Sequence, residues 1–171
     1  GKIIFCDGAV CSQNPWFQLL PFAPNKGEAL FLHIPELPKD RIYKKGMLLV
    51  PMVEPGQWWL GSAYEWEFKD ALPTADFRNK AELLLNHWLK LPYTIQDHIA
   101  SIRPATIERR PFAGLHPLHP SIAILNGMGT KGCSLAPYFA EQLTLFLVKG
   151  TPLHPEGDVK RFTRILSRNI A

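Results

Sequence analysis

The segment NGMGTKGCSLAPYFAEQLTLFLVKG, residues 126–150, sets three glycines and a lysine directly before an apolar run at helical spacing. A short strand, a glycine loop and a helix N-terminus in succession form an anion or cofactor site. Unpartnered N–H groups converge there and the helix dipole is positive at that end. Glycine also lets a flat ring or a phosphate approach the backbone closely. The same spacing suits a tight turn needing positive φ at Gly129 or Gly132, and both readings stand. The order is not that of a nucleotide-triphosphate loop, because Lys131 precedes Gly132 and no GxxxxGK[ST] occurs. HPLHP, residues 116–120, spaces two histidines by three but has no further ligand pattern around it, so it reads as a pair of loop histidines and no metal is expected. Ser134 lies outside any GxSxG elbow.

The elements that must carry this loop are partly visible. KIIFC, residues 2–6, reads as a buried strand, and DGAVCSQNPWF after it as a loop leaving its carboxyl end. In open α/β sheets that is the ligand side. From Gly27 to Phe68 the runs GEALFLHI, RIYKK, GMLLVPMV and QWWLGSAYEWEF alternate with turns, as in an antiparallel sheet. Residues 74–91 form a helix capped by Thr74, with Phe77, Ala81, Leu84, Leu85 and Trp88 on one face and Pro92 as the stop. TIQDHIASIRPAT is extended, and ERRPFAGLHPLHP holds too much proline for a central strand or a helix. SIAILNG is a short strand ending at the glycine loop. In the helix beyond, Ser134 is the expected N-cap and Pro137 lies in the first turn. Leu135, Phe139, Leu143, Phe146 and Leu147 share its face, and Gly150 closes it beside Lys149. Residues 158–168 form a last helix capped by Asp158, burying Val159, Phe162, Ile165 and Leu166, with its arginines in water. The five tryptophans are read as core or interface material.

With 171 residues, 46% of them hydrophobic, the chain can bury a real core. Its formal charge of +4 is spread out, and only Arg109-Arg110 and Lys44-Lys45 adjoin, which argues against a nucleic-acid partner. Cys6, Cys11 and Cys133 have no CxxC or zinc spacing; small buried thiols in a cytoplasmic protein are expected. No apolar run approaches bilayer length, so no membrane span is expected. A chain that opens at Gly1 straight into a strand is expected to be the later part of a longer protein, a short homologue being the alternative.

IRPATIERRPFAGLHP, followed by SIAILNGMGTKGCSLAPYFAEQL, resembles the carboxyl-terminal portion of the D-amino-acid oxidase and glycine oxidase family of FAD-dependent oxidoreductases. The likeness rests on an Arg-Pro, a second Pro about seven residues on, a short strand, and a glycine-rich loop opening a helix with Ala-Pro near its start. KIIFCDGAVCS is similar to the family's strand and Gly-Ala turn, and the middle to its substrate-binding sheet. The GxGxxG turn that opens the family's N-terminal Rossmann unit and grips the FAD pyrophosphate has no counterpart in residues 1–126; GMGTKG, residues 127–132, has that spacing but lies in the loop that the resemblance places at the flavin.

The resemblance implies an α+β fold: an antiparallel substrate-binding sheet with packed helices, plus the C-terminal strand-loop-helix part of an FAD-binding domain. Residues 1–24 become the remnant strand and loop of that domain, 25–110 the substrate-binding domain with its helix at 74–91, and 111–171 the rest of the FAD-binding domain. Gly8, Ala9, Gly127, Gly129, Thr130, Lys131 and Gly132 are implied at the flavin, though Lys131 is equally a surface lysine. Arg103 is implied as the clamp on a substrate carboxylate, which a guanidinium holds by two parallel hydrogen bonds; the alternative is an ion pair with Glu65 or Asp97. Tyr64 and Glu65 are candidates for the pocket lining or, equally, for an amphipathic sheet edge. No catalytic acid or base is demanded. The expected activity is hydride transfer from a C–N carbon of an amine or amino acid to flavin. The fragment alone is expected to be inactive and not to retain FAD without the missing N-terminal half, and its exposed strand and helix faces point to a homo-oligomer. The alternative is a stand-alone, non-enzymatic carboxylate-binding or self-associating domain of that fold.

Overall fold

The computed structural model describes residues 1–168. Its elements run β1 (Ile3–Phe5), β2 (Asn25–His33), β3 (Tyr43–Lys45), β4 (Met47–Pro51), β5 (Gln57–Gly61), α1 (Ala75–Trp88), β6 (Thr94–Arg103), β7 (Phe112–Leu115), β8 (Ile122–Asn126), α2 (Gly132–Lys149) and α3 (Thr163–Leu166). The α+β class and the antiparallel sheet are as expected. The chain divides into two compact units, Asn25–Ile102 and residues 1–24 with 103 onward.

The Asn25–Ile102 unit is a five-stranded sheet in the order β3-β4-β5-β2-β6, with β2–β5, β4–β5 and β3–β4 antiparallel. Alternation along β2 and β5 turns Leu30, Leu32, Trp58 and Leu60 to one face, where they meet Phe77, Ala81 and Leu85 of α1. The spacing of four along the helix keeps those three side chains on one stripe. Thr74 caps α1, its hydroxyl accepting from the Phe77 N–H at 3.2 Å. The helix ends at Trp88 rather than Leu91, because Leu89 already has extended backbone. The run expected as strand through Phe68 stops at Gly61, and beyond it Glu65 forms an isolated bridge to Lys26.

The other unit holds a mixed three-stranded sheet, β1-β8-β7, with β1 parallel and β7 antiparallel to β8. Within the proline-rich segment, where a central strand was not expected, residues 112–115 form a short strand. It lies at the sheet edge, where flanking Pro111 and Pro117 cost no ladder bonds. Phe17, Phe112, Ile124, Val159, Phe162 and Leu166 form the core. β1 finds a partner in β8, yet Ile3 and Ile4 remain 61% and 44% exposed. Along α2 only Phe139 and Leu143 are buried; Leu135, Phe146 and Leu147 are half-covered, because the helix carries more apolar surface than a three-stranded sheet can hide.

Three terminal details depart from expectation. α2 begins at Gly132, so Ser134 is not its cap but donates to the Lys131 carbonyl at 3.1 Å, and Pro137 sits beyond the first turn. Gly150 closes α2 in the left-handed region as expected, its N–H donating to Phe146 O at 3.0 Å. Asp158 caps a 3-10 turn, Val159–Phe162, before the short α3. Arg161 is not in water: it donates to Pro111 O at 2.8 Å, pairs with Glu108 at 3.2 Å and lies over the Phe112 ring. No helix among the described residues is long and apolar enough to cross a membrane.

Candidate functional site

Because β1 and β8 are parallel neighbours, their carboxyl ends leave the sheet on the same side. Gly8 and Ala9 follow the first end, and Gly127 follows the second. Asn126, buried at the end of β8, joins the two loops. Its side-chain NH2 donates to the Gly8 carbonyl at 2.9 Å and to Asp7 Oδ1 at 3.1 Å, while its Oδ1 accepts from the Gly127 N–H at 2.8 Å. The other Asp7 oxygen accepts from Asn14 Nδ2 at 3.1 Å, and Asn14 Oδ1 accepts from the Trp16 N–H at 2.9 Å. Sequence reading missed Asp7, Asn14 and Asn126; the only signal was a polar residue closing each apolar strand.

The Cys11 thiol lies in this network, fully buried. Burial first, then a hydrogen bond to Asp7 and that carboxylate's charge, push it up to about 12. Cys6 and Cys133 are exposed, which corrects the expectation that all three thiols are buried. Cys6 and Cys133 should therefore react with a disulfide reagent in the native protein while Cys11 waits for unfolding. In Asn126→Ala, the Gly127 N–H loses its acceptor, at about 1–3 kcal/mol. With Cys6 and Cys133 replaced by serine, Cys11 labelling in that variant should accelerate at least about tenfold. An unchanged rate would mean that Asn126 does not hold this end of the sheet together.

The segment after Arg103 is fastened to the same loop. The Gly129 N–H donates to the Pro104 carbonyl at 3.1 Å, and the Ala105 N–H to the Arg103 carbonyl at 2.8 Å. Gly127 has φ +78°, and a Cβ there would fall 2.7 Å from Thr106 Cγ2. The Thr106 hydroxyl in turn donates to Arg110 O at 2.8 Å and accepts from the Arg110 N–H at 3.0 Å. Gly129, at φ +54°, also needs glycine's freedom, whereas Gly132 is helical at φ −53° and does not. The turn reading is thus met at Gly129, and the strictest demand falls on Gly127.

What these constraints leave open is the start of α2. Thr130 and Lys131 are exposed, no side chain caps the helix and its first turn has no acidic residue. The 3-10 turn Gly129–Lys131 runs straight into it, the Lys131 N–H donating to the Met128 carbonyl at 3.0 Å, and the positive end of the helix dipole lies at this turn. Two clamped glycine loops, an uncapped helix start and an arginine at the next segment suit a flat or anionic group laid against backbone amides. Among the described residues no group of three or more His, Cys, Asp and Glu is placed to hold a metal.

Tyr64 and Glu65 belong to the Asn25–Ile102 unit. Tyr64 is 59% exposed, and Glu65 exchanges backbone hydrogen bonds of 2.8 and 2.9 Å with Lys26. That unit contains an unforeseen buried cluster around Glu28. Its carboxylate meets Lys26 Nζ at 3.3 Å and His98 Nε2 at 2.9 Å. It also accepts from the Thr74 N–H at 2.7 Å and the Thr74 hydroxyl at 2.8 Å. Burial alone would raise its pKa, but the Thr74 hydrogen bonds and Lys26 outweigh it and hold the carboxyl below its ordinary range. The visible signal was a Lys-x-Glu spacing, which puts both charges on one face of a strand.

No family model matches the chain. Among solved structures it is similar to iminodiacetate oxidase from Chelativorans sp. BNC1, at 21% identity and TM-score 0.66 over 90% of this chain and 43% of that one. Glycine oxidase from Geobacillus kaustophilus matches at 21% identity and TM-score 0.71, over 99% of this chain and 46% of that one. L-proline dehydrogenase from P. horikoshii matches at 19% and 0.73, over 96% and 47%. The chain spans less than half the length of each. Its fold is therefore shared with an iminodiacetate oxidase, a glycine oxidase and an L-proline dehydrogenase, the fold the resemblance implied.

Proposed function

We propose that this chain is the substrate-binding and carboxyl-terminal cofactor-binding portion of an FAD-dependent amine or amino-acid oxidoreductase. The observation that carries the reading is the Asn126 clamp, which holds the Gly8 and Gly127 loops together beside the uncapped start of α2. Residues 1–24 and 111–171 supply the cofactor side and residues 25–110 the substrate side. A longer polypeptide, or a second one, contributes the part that grips the FAD pyrophosphate.

Gly8, Ala9, Gly127, Gly129, Thr130 and Gly132 would line the flavin end with backbone, and amides at the start of α2 would stabilise negative charge there. Lys131, exposed beside them, would add positive charge. FAD, when bound, accepts the hydride from the carbon bearing the amine. Arg103 holds the substrate carboxylate, fixing that carbon's orientation. Its backbone tie to the Gly129 loop through Pro104 and Ala105 couples substrate grip to the cofactor side. Tyr64 and Glu65 are the substrate-contact candidates of the Asn25–Ile102 unit.

The test is Arg103→Ala in the flavin-loaded protein. Loss of a charge-assisted pair of hydrogen bonds, worth about 1.5–3 kcal/mol, should raise KM for an amino acid roughly 10- to 100-fold. FAD content should stay at the wild-type level. Equal loss of flavin and of substrate affinity would remove the assigned role. The exposed Ile3 and Ile4 favour a second reading, self-association through the β1 edge. A concentration-dependent dimer that disappears in Ile3→Lys would support it.

A further inference from the structure

At the opposite end of β8 from Gly127, the turn joining β7 to β8 lies beside a cavity of about 340 Å³. Trp16, Gln18, Leu19, His116, His119 and Arg168 are among its lining residues, and no aspartate or glutamate is. The wall thus carries a guanidinium and two imidazoles on one part and apolar side chains on another.

The turn is rigid. The His116 N–H donates to Ile122 O at 2.8 Å, the Ile122 N–H to His119 O at 2.9 Å and the His119 N–H to His116 O at 3.3 Å. His116 Nδ1 accepts from the Leu118 N–H at 3.2 Å, so Nε2 is the ring nitrogen that carries a proton. The two imidazoles lie 5.0 Å apart, and Trp16 packs edge-on against both, at 6.2 and 4.5 Å. Asn14 fixes the Trp16 backbone. Burial and the neighbouring His119 lower the His116 pKa against a hydrogen bond to the Trp16 backbone that raises it, so the neutral ring is favoured there.

We propose that this cavity binds a small organic anion, its phosphate or carboxylate head at His119 and Arg168 and its apolar body against Trp16 and Leu19, with His116, hydrogen-bonded to the Trp16 backbone, holding the wall in place. An imidazole N–H and a guanidinium are the donors that such heads take. The volume exceeds what an inorganic ion fills and lies in the range of small-molecule sites. The proposal does not depend on the flavin reading, since the site sits at the other end of the strand.

The experiment titrates the chain with phenyl phosphate, benzoate and benzyl alcohol at matched chloride ionic strength, following the His119 ring and Trp16 indole signals by NMR. Saturable shifts with one or both anions and none with the alcohol are expected, and the stronger anion identifies the head group. Arg168→Ala, a change at an exposed residue, and His119→Ala should each weaken binding about tenfold or more, with Arg168→Lys retaining more than Arg168→Ala. No saturable shift with either anion, equal binding of the alcohol, or wild-type affinity in both alanine variants would overturn the proposal.

Discussion

Glu28→Ala is expected to destabilise the Asn25–Ile102 unit by about 3–5 kcal/mol, the cost of leaving a buried charge without its partner. Lys26 and Glu28 are 2% and 1% exposed, so neither can turn to water when the other goes. The same carboxylate receives the first N–H of the α1 cap region through Thr74, so its loss also loosens the helix start. Urea unfolding at neutral pH measures the effect. The pH dependence has a definite sign. The folded carboxyl lies below its ordinary 4.5, so its stabilisation is fully present above about 4.5 and is lost as pH falls through the lower folded value. Glu28→Gln should flatten that acid limb. An alanine variant within about 1 kcal/mol of wild type, with its acid limb intact, would show that the cluster is not a stabilising unit.

Gly127→Ala is expected to cost about 2–5 kcal/mol. Left-handed backbone at a residue with a Cβ costs about 1–2 kcal/mol. The new methyl would also overlap Thr106 Cγ2 at 2.7 Å, and overpacking adds about 1–3 kcal/mol. Thr106→Ser in the same chain removes that methyl while keeping the hydroxyl that meets Arg110, so it should restore the packing part and not the backbone part. Gly129→Ala is the control: its Cβ would meet Ala105 at an ordinary 3.5 Å, so only the backbone cost applies. Thermal unfolding of the three variants and the wild type separates the two contributions. Equal losses at Gly127 and Gly129 would contradict the close approach.

Much of this fold was legible because local chemistry and tertiary structure agree. Thr74 caps α1, Gly150 closes α2, and alternation in β2 and β5 marks their buried face. The glycine loop was legible for the same reason: glycine is written where the backbone has no alternative, as at Gly129. What escaped is set by distant partners. Nothing near Asn126 announces that its amide reaches Gly8, 118 residues away in sequence. Glu28 and Thr74 are 46 residues apart, and only the folded sheet makes them neighbours. Local rules also lost to packing. Pro137 was expected to mark a first turn, but α2 extends to Gly132 because the 3-10 turn Gly129–Lys131 leads straight into it. Arg161 reads as a solvent-facing charge until Glu108 and the Pro111 carbonyl arrive from 50 or more residues away.

The central claim is that the amides around Gly8 and the Gly129–Lys131 turn form the flavin-ring side of a cradle. Its most direct test is NMR titration of the isotope-labelled chain with riboflavin, which carries the ring and ribityl chain without the pyrophosphate. The account predicts weak, saturable shifts concentrated at the amides of Gly8, Ala9, Thr130, Lys131 and Gly132. No shift there at millimolar riboflavin, or shifts gathered on another surface, would contradict it.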